Sequence, residues 1–423
     1  MKTITSIRNI TTFMALAVAL PAAVCGQSLD YNTFINRVMR NNLEYAVAQL
    51  DRSVSEADLK AARKFTDPTF SAEYGNNSDW DIMMGQSLSF ELGKTISFGK
   101  RSARIQVARH NLDATDAGLK QFAFTLRAEA TLAYVDALLA RDMALVGLEN
   151  MNNMQSLYYG DSIRNATGDL SEVDVMQSRL EANMASQEYQ ALRVDYRNAL
   201  VELSQLMGDT LFTVDTIVGT LAVPAHLFSL ERLLKNADSL RFDIVQQQHL
   251  ELMAESELKQ VRRERMPDID LALGVNWNSR VRNEEAPAPE YVGYTIGLGI
   301  PLPFSNMNRS DVRSSQYKAQ QAHLQTDIVR RQARAEIVKA YNSYQSAVSR
   351  MSQFSTSIMN DAQLVLQGKI YAYNRGETSL LEVINAQHTY NEMRQSYAEC
   401  LHQCVTALIE LEHSAGLNSF NLE

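Results

Sequence analysis

The sequence predicts a mainly α-helical chain with a membrane β-barrel component, in which one strand pair and one long coiled-coil hairpin occur twice. Three observations predict this. Landmarks recur at a nearly constant offset: Ala133-Tyr134 matches Ala340-Tyr341 at 207 residues, and Gly168 and Gly208 match Gly376 and Gly416 at 208. Residues 68–98 and 268–301 each alternate apolar and polar positions, the period of a strand. Residues 101–160 hold no proline and only two glycines before Gly160, and residues 305–373 hold no proline and only Gly368. At ~1.5 Å per residue, runs of this length reach roughly 90 Å as helices.

The N-terminus reads as a secretory signal, residues 1–26. Lys2 and Arg8 form a basic start, residues 13–24 an apolar stretch, and Val24-Cys25-Gly26 fits a cleavage site that leaves Gln27 first. The other reading is a lipoprotein acylated at Cys25, against which stands the bulk of Val24 just before it. Removing two positive charges takes the net charge from −9 to −11. An acidic mature chain argues against nucleic-acid partners. No later run has the roughly 18 consecutive apolar residues of a membrane helix. Cys400 and Cys404, four residues apart on one helix, are badly placed to bridge each other.

The first repeat spans residues 27–228. Residues 29–65 read as two helices: Asp30 caps the first, which carries Phe34, Ile35 and Val38, and Val47, Leu50, Val54 and Leu59 mark the second. Strands are expected over about 68–98, through Phe70, Ala72 and Tyr74, then Leu88, Phe90, Leu92, Ile96 and Phe98, with residues 76–79 as the turn. Long helices follow at about 99–163 and 169–208. Ile105, Leu112, Leu119, Leu126 and Ala133 step by sevens, which is coiled-coil spacing. The linker 209–228 is β-branched over residues 210–221 and allows a short strand. The second repeat, 229–416, has a helical lead-in over 230–265, strands at about 268–301 through Ile269, Leu271, Leu273 and Val275, then Tyr294, Ile296, Leu298 and Ile300, and helices at about 305–373 and 377–415. Residues 417–423 form a tail.

The strands have two readings. One is a small soluble sheet. The other is a membrane barrel, favoured by strands about ten residues long with a single apolar face and by Tyr74, Trp80, Trp277, Tyr291 and Tyr294 near strand ends. Four strands cannot close a barrel, and open sheet edges are not tolerated in lipid. Helices near 90 Å likewise need neighbours to cover their apolar stripes. Both arguments require an oligomer whose axis follows the helices, with β-structure in the membrane and α-structure below it.

Two helical turns make the expectation more specific. The segments 164–175 (RNATGDLSEVDV) and 373–387 (YNRGETSLLEVINAQ) fit a Gly-x-x-(Ser/Thr)-x-x-(Asp/Glu)-Val pattern. With the duplication, they make nearly the whole mature chain resemble the TolC-like outer-membrane efflux proteins, the exit ducts of tripartite efflux and type I secretion systems. The resemblance implies a homotrimer in the outer membrane, with a 12-stranded β-barrel and a periplasmic helical barrel. It also implies a periplasmic adaptor, an inner-membrane pump and no cofactor. It places adaptor docking at the hairpin tips, on Gly168, Leu170, Ser171, Gly376, Thr378 and Ser379. Read alone, these residues are good helix-start and helix-end chemistry. It places the periplasmic gate at Asp174, Tyr373, Glu382 and Asn385. Asp174 falls on the partner of Tyr373, and Glu382 on a narrow acidic ring whose carboxylates would repel, raise one another's pKa and attract cations. Asn385 stands where the family has a second acid, and Thr378 where it has a gate arginine, so a weaker cation block and a different latch are expected.

No phosphate-cradling Gly loop, nucleophile elbow or metal-ligand spacing occurs, so neither an enzyme nor a metal site is expected. His402 lies between Cys400 and Cys404 but points away from their shared face, and the two thiols read as core. The basic residues Lys100, Arg101, Arg104, Arg262, Arg263 and Arg265 beside the strand ends read as a solvated face or as anchors at the inner leaflet. The competing functional class is a structural or adhesive trimeric coiled coil that does not conduct. Cargo is open between drugs, metal ions and other small molecules.

Overall fold

The structure, a computed structural model, describes residues 27–77, 83–210, 212, 214–222, 228–302, 309–354 and 356–417. The signal segment, Cys25, Trp80 and most of the tail lie outside them. The chain begins with β1 (Gln27–Leu29), α1 (Tyr31–Asn41) and α2 (Leu43–Ala62). Asp30 starts α1, its carboxylate accepting from the Thr33 N–H at 3.0 Å. Asn42 ends α1 and starts α2, accepting from the Tyr45 N–H at 2.9 Å. The hairpin β2 (Thr69–Asn76) and β3 (Gln86–Ile96) leads into α3 (Lys100–Ala166), and α4 (Glu172–Leu206) returns. With 67 residues, α3 is roughly 100 Å long. The linker forms β4 (Val214–Ile217), which pairs in parallel with β1.

The second half repeats the order as α5 (Leu230–Leu240), α6 (Phe242–Glu264), β5 (Ile269–Asn278), β6 (Tyr291–Gly299), α7 (Arg309–Gln353), α8 (Thr356–Asn374) and α9 (Leu380–Ala415). Two expected helices are each split. The lead-in over 230–265 breaks at Arg241, whose extended backbone (φ −80°, ψ 119°) ends α5 and starts α6. The run over 305–373 breaks after Gln353, where the Phe354 N–H closes back on the Met351 carbonyl at 3.1 Å. Ser352 there turns its hydroxyl onto the Ser349 carbonyl at 2.7 Å, the local competition with helical bonding that serines offer.

The four strands form one antiparallel sheet in the order β2-β3-β5-β6. The two hairpins join through β3 and β5, so the repeats share a sheet. Register explains the alternation. Ala72, Phe90, Val275 and Tyr294 lie in one row, and Leu92, Leu273 and Ile296 lie in the next with Phe70. The opposite face carries Ser71, Glu91, Gly274 and Thr295 in one row, and Glu73, Ser89, Asn276 and Gly293 in the next. Tyr294 and Ile296 are 82% and 83% exposed, so the apolar face has no cover among the described residues. Among the described residues, β2 and β6 are each paired on one side only.

The cores repeat too. In the first half Phe34, Val38, Tyr134, Leu138, Leu203 and Met207 pack together; in the second, Leu233, Ala237, Ile337, Tyr344, Leu408 and Leu411 do. The Tyr134 hydroxyl donates to the carbonyls of Leu29 and Val218, tying α3 to β1 and the linker. Cys400 and Cys404 are buried, as core residues, and burial pushes the Cys404 thiol up. Of the basic group at the strand ends, Arg262 and Arg263 are exposed, as on a solvated face, while Lys100, Arg101 and Arg104 are engaged within the chain. Arg101 and Arg104 donate to the carbonyls of Ala62, Arg63 and Lys64 at the end of α2, and Lys100 pairs with Asp268 at 2.8 Å.

Candidate functional site

A long wall of helices has its chemistry at its ends, and the two hairpin turns at the tips are built alike. Gly168 (φ +83°) and Gly376 (φ +75°) take the left-handed conformation that L side chains rarely adopt. The Asp169 N–H bonds the Arg164 carbonyl at 2.8 Å and the Gly168 N–H that of Asn165 at 2.9 Å. The Glu377 and Gly376 N–H groups bond the carbonyls of Ala372 and Tyr373 at 2.9 and 3.0 Å. This paired closure satisfies the last helical carbonyls. Gly208 and Gly416 end α4 and α9 in the same way.

The helix starts differ. Ser171 Oγ accepts from the Asp174 N–H at 3.2 Å and donates to the Asp174 carboxylate at 2.7 Å. Ser379 holds the equivalent position before α9 without a side-chain cap bond. Instead the Thr378 hydroxyl donates to Glu382 at 2.7 Å. Gly168, Ser171, Gly376 and Ser379 are exposed, while Leu170 and Thr378 are half-buried. A Cβ added at Gly168 or Gly376 meets no atom within 4 Å. Both turns therefore offer open backbone. Val173 and Leu381, one on each tip, are 72% and 56% exposed.

Above the tips the two hairpins are linked. Tyr373, at the end of α8, donates its hydroxyl to Asp161 of α3 at 2.7 Å. The Arg164 guanidinium lies 5.0 Å from the Tyr373 ring centroid and donates to its carbonyl at 3.5 Å. Leu157, Leu380, Val383 and Ile384 pack around the ring. Asp161 is 1% exposed, and burial pushes its carboxyl above the usual carboxylate range. Burial and then Asp161 push the Tyr373 phenol up. A cleft of ≈ 380 Å³ opens beside the pair, lined by Met154, Gly160, Gln367, Gln387 and Tyr390 among others.

Within one chain, then, Tyr373 meets Asp161 rather than Asp174. Asp174 is in the first turn of α4, beyond the Gly168 turn, and Ser171 uses its carboxylate. Asp161 precedes the turn and faces the second hairpin. The repeat pattern around Gly168 gave no signal for it. Glu382 is exposed and held by Lys369 and Thr378. The Lys369 ammonium, before any other group, keeps its carboxyl below the usual range, which opposes the mutual elevation expected of a ring. Asn385 is exposed one turn on, and its carbonyl accepts from Thr389 at 2.9 Å.

Further up, His402 donates or accepts at 2.5 Å with Asp136, bridging α9 and α3. A separate group, His110, Asp113 and His249, comes together between α3 and α6. No linear spacing announces it, because His249 arrives from the other repeat. Among the described residues no helix is long and apolar enough to cross a membrane.

Comparison with known proteins agrees with this architecture. Over 383 residues, 89% of this chain and 86% of the relative, the chain is 24% identical to the cobalt-zinc-cadmium resistance protein CzcC of Cupriavidus metallidurans. The solved structure of CusC, a transmembrane channel, superposes with a TM-score of 0.73 at 19% identity, covering 92% of each chain. The CmeC outer membrane channel of Campylobacter jejuni superposes with a TM-score of 0.74 at 14% identity, over 91% of this chain and 85% of that one. The fold is therefore TolC-like, with strands of a membrane β-barrel continued by a periplasmic helical barrel. The model of the family described as "Outer membrane efflux protein" matches residues 34–209 and 233–417, and the chain belongs to that family of outer-membrane channels.

Proposed function

We propose that three copies of this chain form the exit duct of a tripartite export system. The observation that carries the reading is the sheet. Among the described residues it has four strands, an apolar face without cover, a polar face opposite, and two unpaired edges. Three such sheets joined edge to edge make a closed barrel of about twelve strands, within the range known for outer-membrane barrels. The polar face then lines the pore, and the helices continue the wall into the periplasm.

In this reading the tips meet a periplasmic adaptor, which joins the duct to an inner-membrane pump. Gly168, Leu170, Ser171, Gly376, Thr378 and Ser379 form the docking surface, because bare left-handed backbone with small polar neighbours admits close approach of another helix. Tyr373, Asp161 and Arg164 latch the hairpins, and Glu382, with Asn385 a turn beyond, faces the narrowest part of the pore. Divalent metal cations are the favoured cargo. The observation behind this choice is the metal-resistance relative that spans most of the chain. The purified protein, reconstituted in planar bilayers, should give discrete single-channel conductance steps. A protein that inserts and never conducts would support the non-conducting stalk instead.

A further inference from the structure

We propose a divalent-metal site of the zinc class at the α3–α6 interface, formed by His110, Asp113 and His249. It goes beyond the duct reading and does not depend on it. His110 and Asp113 are three residues apart on α3, so both side chains leave the same face. The face is turned to α6. Phe124 stacks edge-on with Phe242 at 6.3 Å, and a Cβ on Gly118 would meet the Gln246 side chain at 2.7 Å. Position rises along α3 as it falls along α6, so the two helices run antiparallel, and His249 arrives opposite His110 and Asp113.

Each of these residues offers one ligand atom, and the ligand atoms lie within 4.8 Å of one another. Bonds of ~2.1 Å at tetrahedral angles hold ligand atoms roughly 3.4 Å apart. The side chains are half-buried, so a modest rotation of rings that are not locked in the core closes that gap. An independent observation points to a ligand. Nδ1 of His110 and Nδ1 of His249 are both shut off from solvent, with no hydrogen-bond partner among the described residues. A buried imidazole nitrogen without a partner costs desolvation free energy. A cation held through Nδ1, one of the two ring nitrogens able to ligate, removes that cost.

The ligand set selects the ion. Two imidazoles and a carboxylate suit Zn²⁺, Co²⁺ or Ni²⁺ better than Ca²⁺ or Mg²⁺, which favour all-oxygen sites, or Cu(I), which favours sulfur. Three protein ligands leave a coordination position open. The location gives the consequence. His110 and Asp113 are ten and thirteen residues into α3 from its start at Lys100, roughly 15–20 Å below the strand ends. A metal there clasps the long helix of one repeat to the lead-in helix of the other, at the collar where barrel and helices meet.

The test uses full-length, tag-free protein in detergent, stripped with a chelator and titrated with Co²⁺ and then Zn²⁺. One Co²⁺ per chain should bind, with the visible absorption of an imidazole-ligated ion, and Zn²⁺ should displace it. His249→Gln should weaken binding by roughly tenfold or more and abolish the rise in Tm that Zn²⁺ gives the wild type. Asp113→Asn, nearly isosteric, and His110→Gln provide the same readout if His249→Gln fails to assemble. Absence of stoichiometric binding in the wild type, or the same affinity in all the variants that assemble, overturns the proposal.

Discussion

At the residue scale the account turns on a phenol and a carboxylate. Tyr373 and Asp161 meet at 2.7 Å inside a core, with Arg164 against the ring. Removing the phenol hydroxyl leaves a buried acceptor unpaired, at a cost of about 1–3 kcal/mol. Tyr373→Phe should therefore loosen the link between hairpins and raise the fraction of open channels by roughly tenfold in single-channel records. An unchanged open fraction would remove this pair from the gate. The pH dependence has a definite sign. Burial raises the Asp161 pKa above its ordinary 3.8. Between that value and the raised one, the folded state holds more protons than the unfolded chain. Stability from this group rises as pH falls through the window, and is lost as pH rises through the folded value. Melting curves of Asp161→Asn should lack that component when compared with wild type over the same pH range. The residue scale is also where sequence reading was weakest. The motif supplied Tyr373 but not Asp161, the acid it meets within the chain, because a partner across two hairpins is set by helix packing and leaves no local spacing. His249 was missed for the same reason.

At the scale of elements the hairpin turns were the most legible part of the chain. Each carries a glycine just after a helix and a serine or threonine before the next, and each closes with the same pair of backbone bonds. The helix breaks at Arg241 and after Gln353 were not legible. No proline or glycine marks either one, and a serine that turns onto a backbone carbonyl is indistinguishable in sequence from one that points to solvent. The exposed turns lead to a mutational test. Gly376 has a positive φ and free space around its absent Cβ, so a side chain there costs only about 1–2 kcal/mol of backbone strain. Gly376→Trp should leave oligomer yield near wild type in detergent extracts and abolish export in cells. Gly376→Ala, with the same strain but little bulk, should retain part of the activity. Normal export by the Trp variant would contradict docking at this turn.

At the scale of the whole molecule, duplication was visible from sequence because glycine and Ala-Tyr landmarks survive in both halves. What duplication could not show was how the halves join. The structure pairs β3 with β5, so one sheet spans both repeats, and His402, Val135 and Val405 draw α3 and α9 together. The alternation of residues predicted a single apolar face, and the strand register puts it in continuous rows across the sheet. The remaining question is what meets the edges at β2 and β6. A soluble monomer would have to bury that apolar face or cap those edges, and neither is done by the described residues. The most direct measurement is disulfide cross-linking in intact outer membranes, with cysteines scanned in pairs across Ser71 or Glu73 on β2 and Thr295 or Gly297 on β6. The account predicts covalent dimers and trimers with nothing larger, because the third bond closes the ring. Cross-links formed only within one chain, or a ladder running past three, would contradict it.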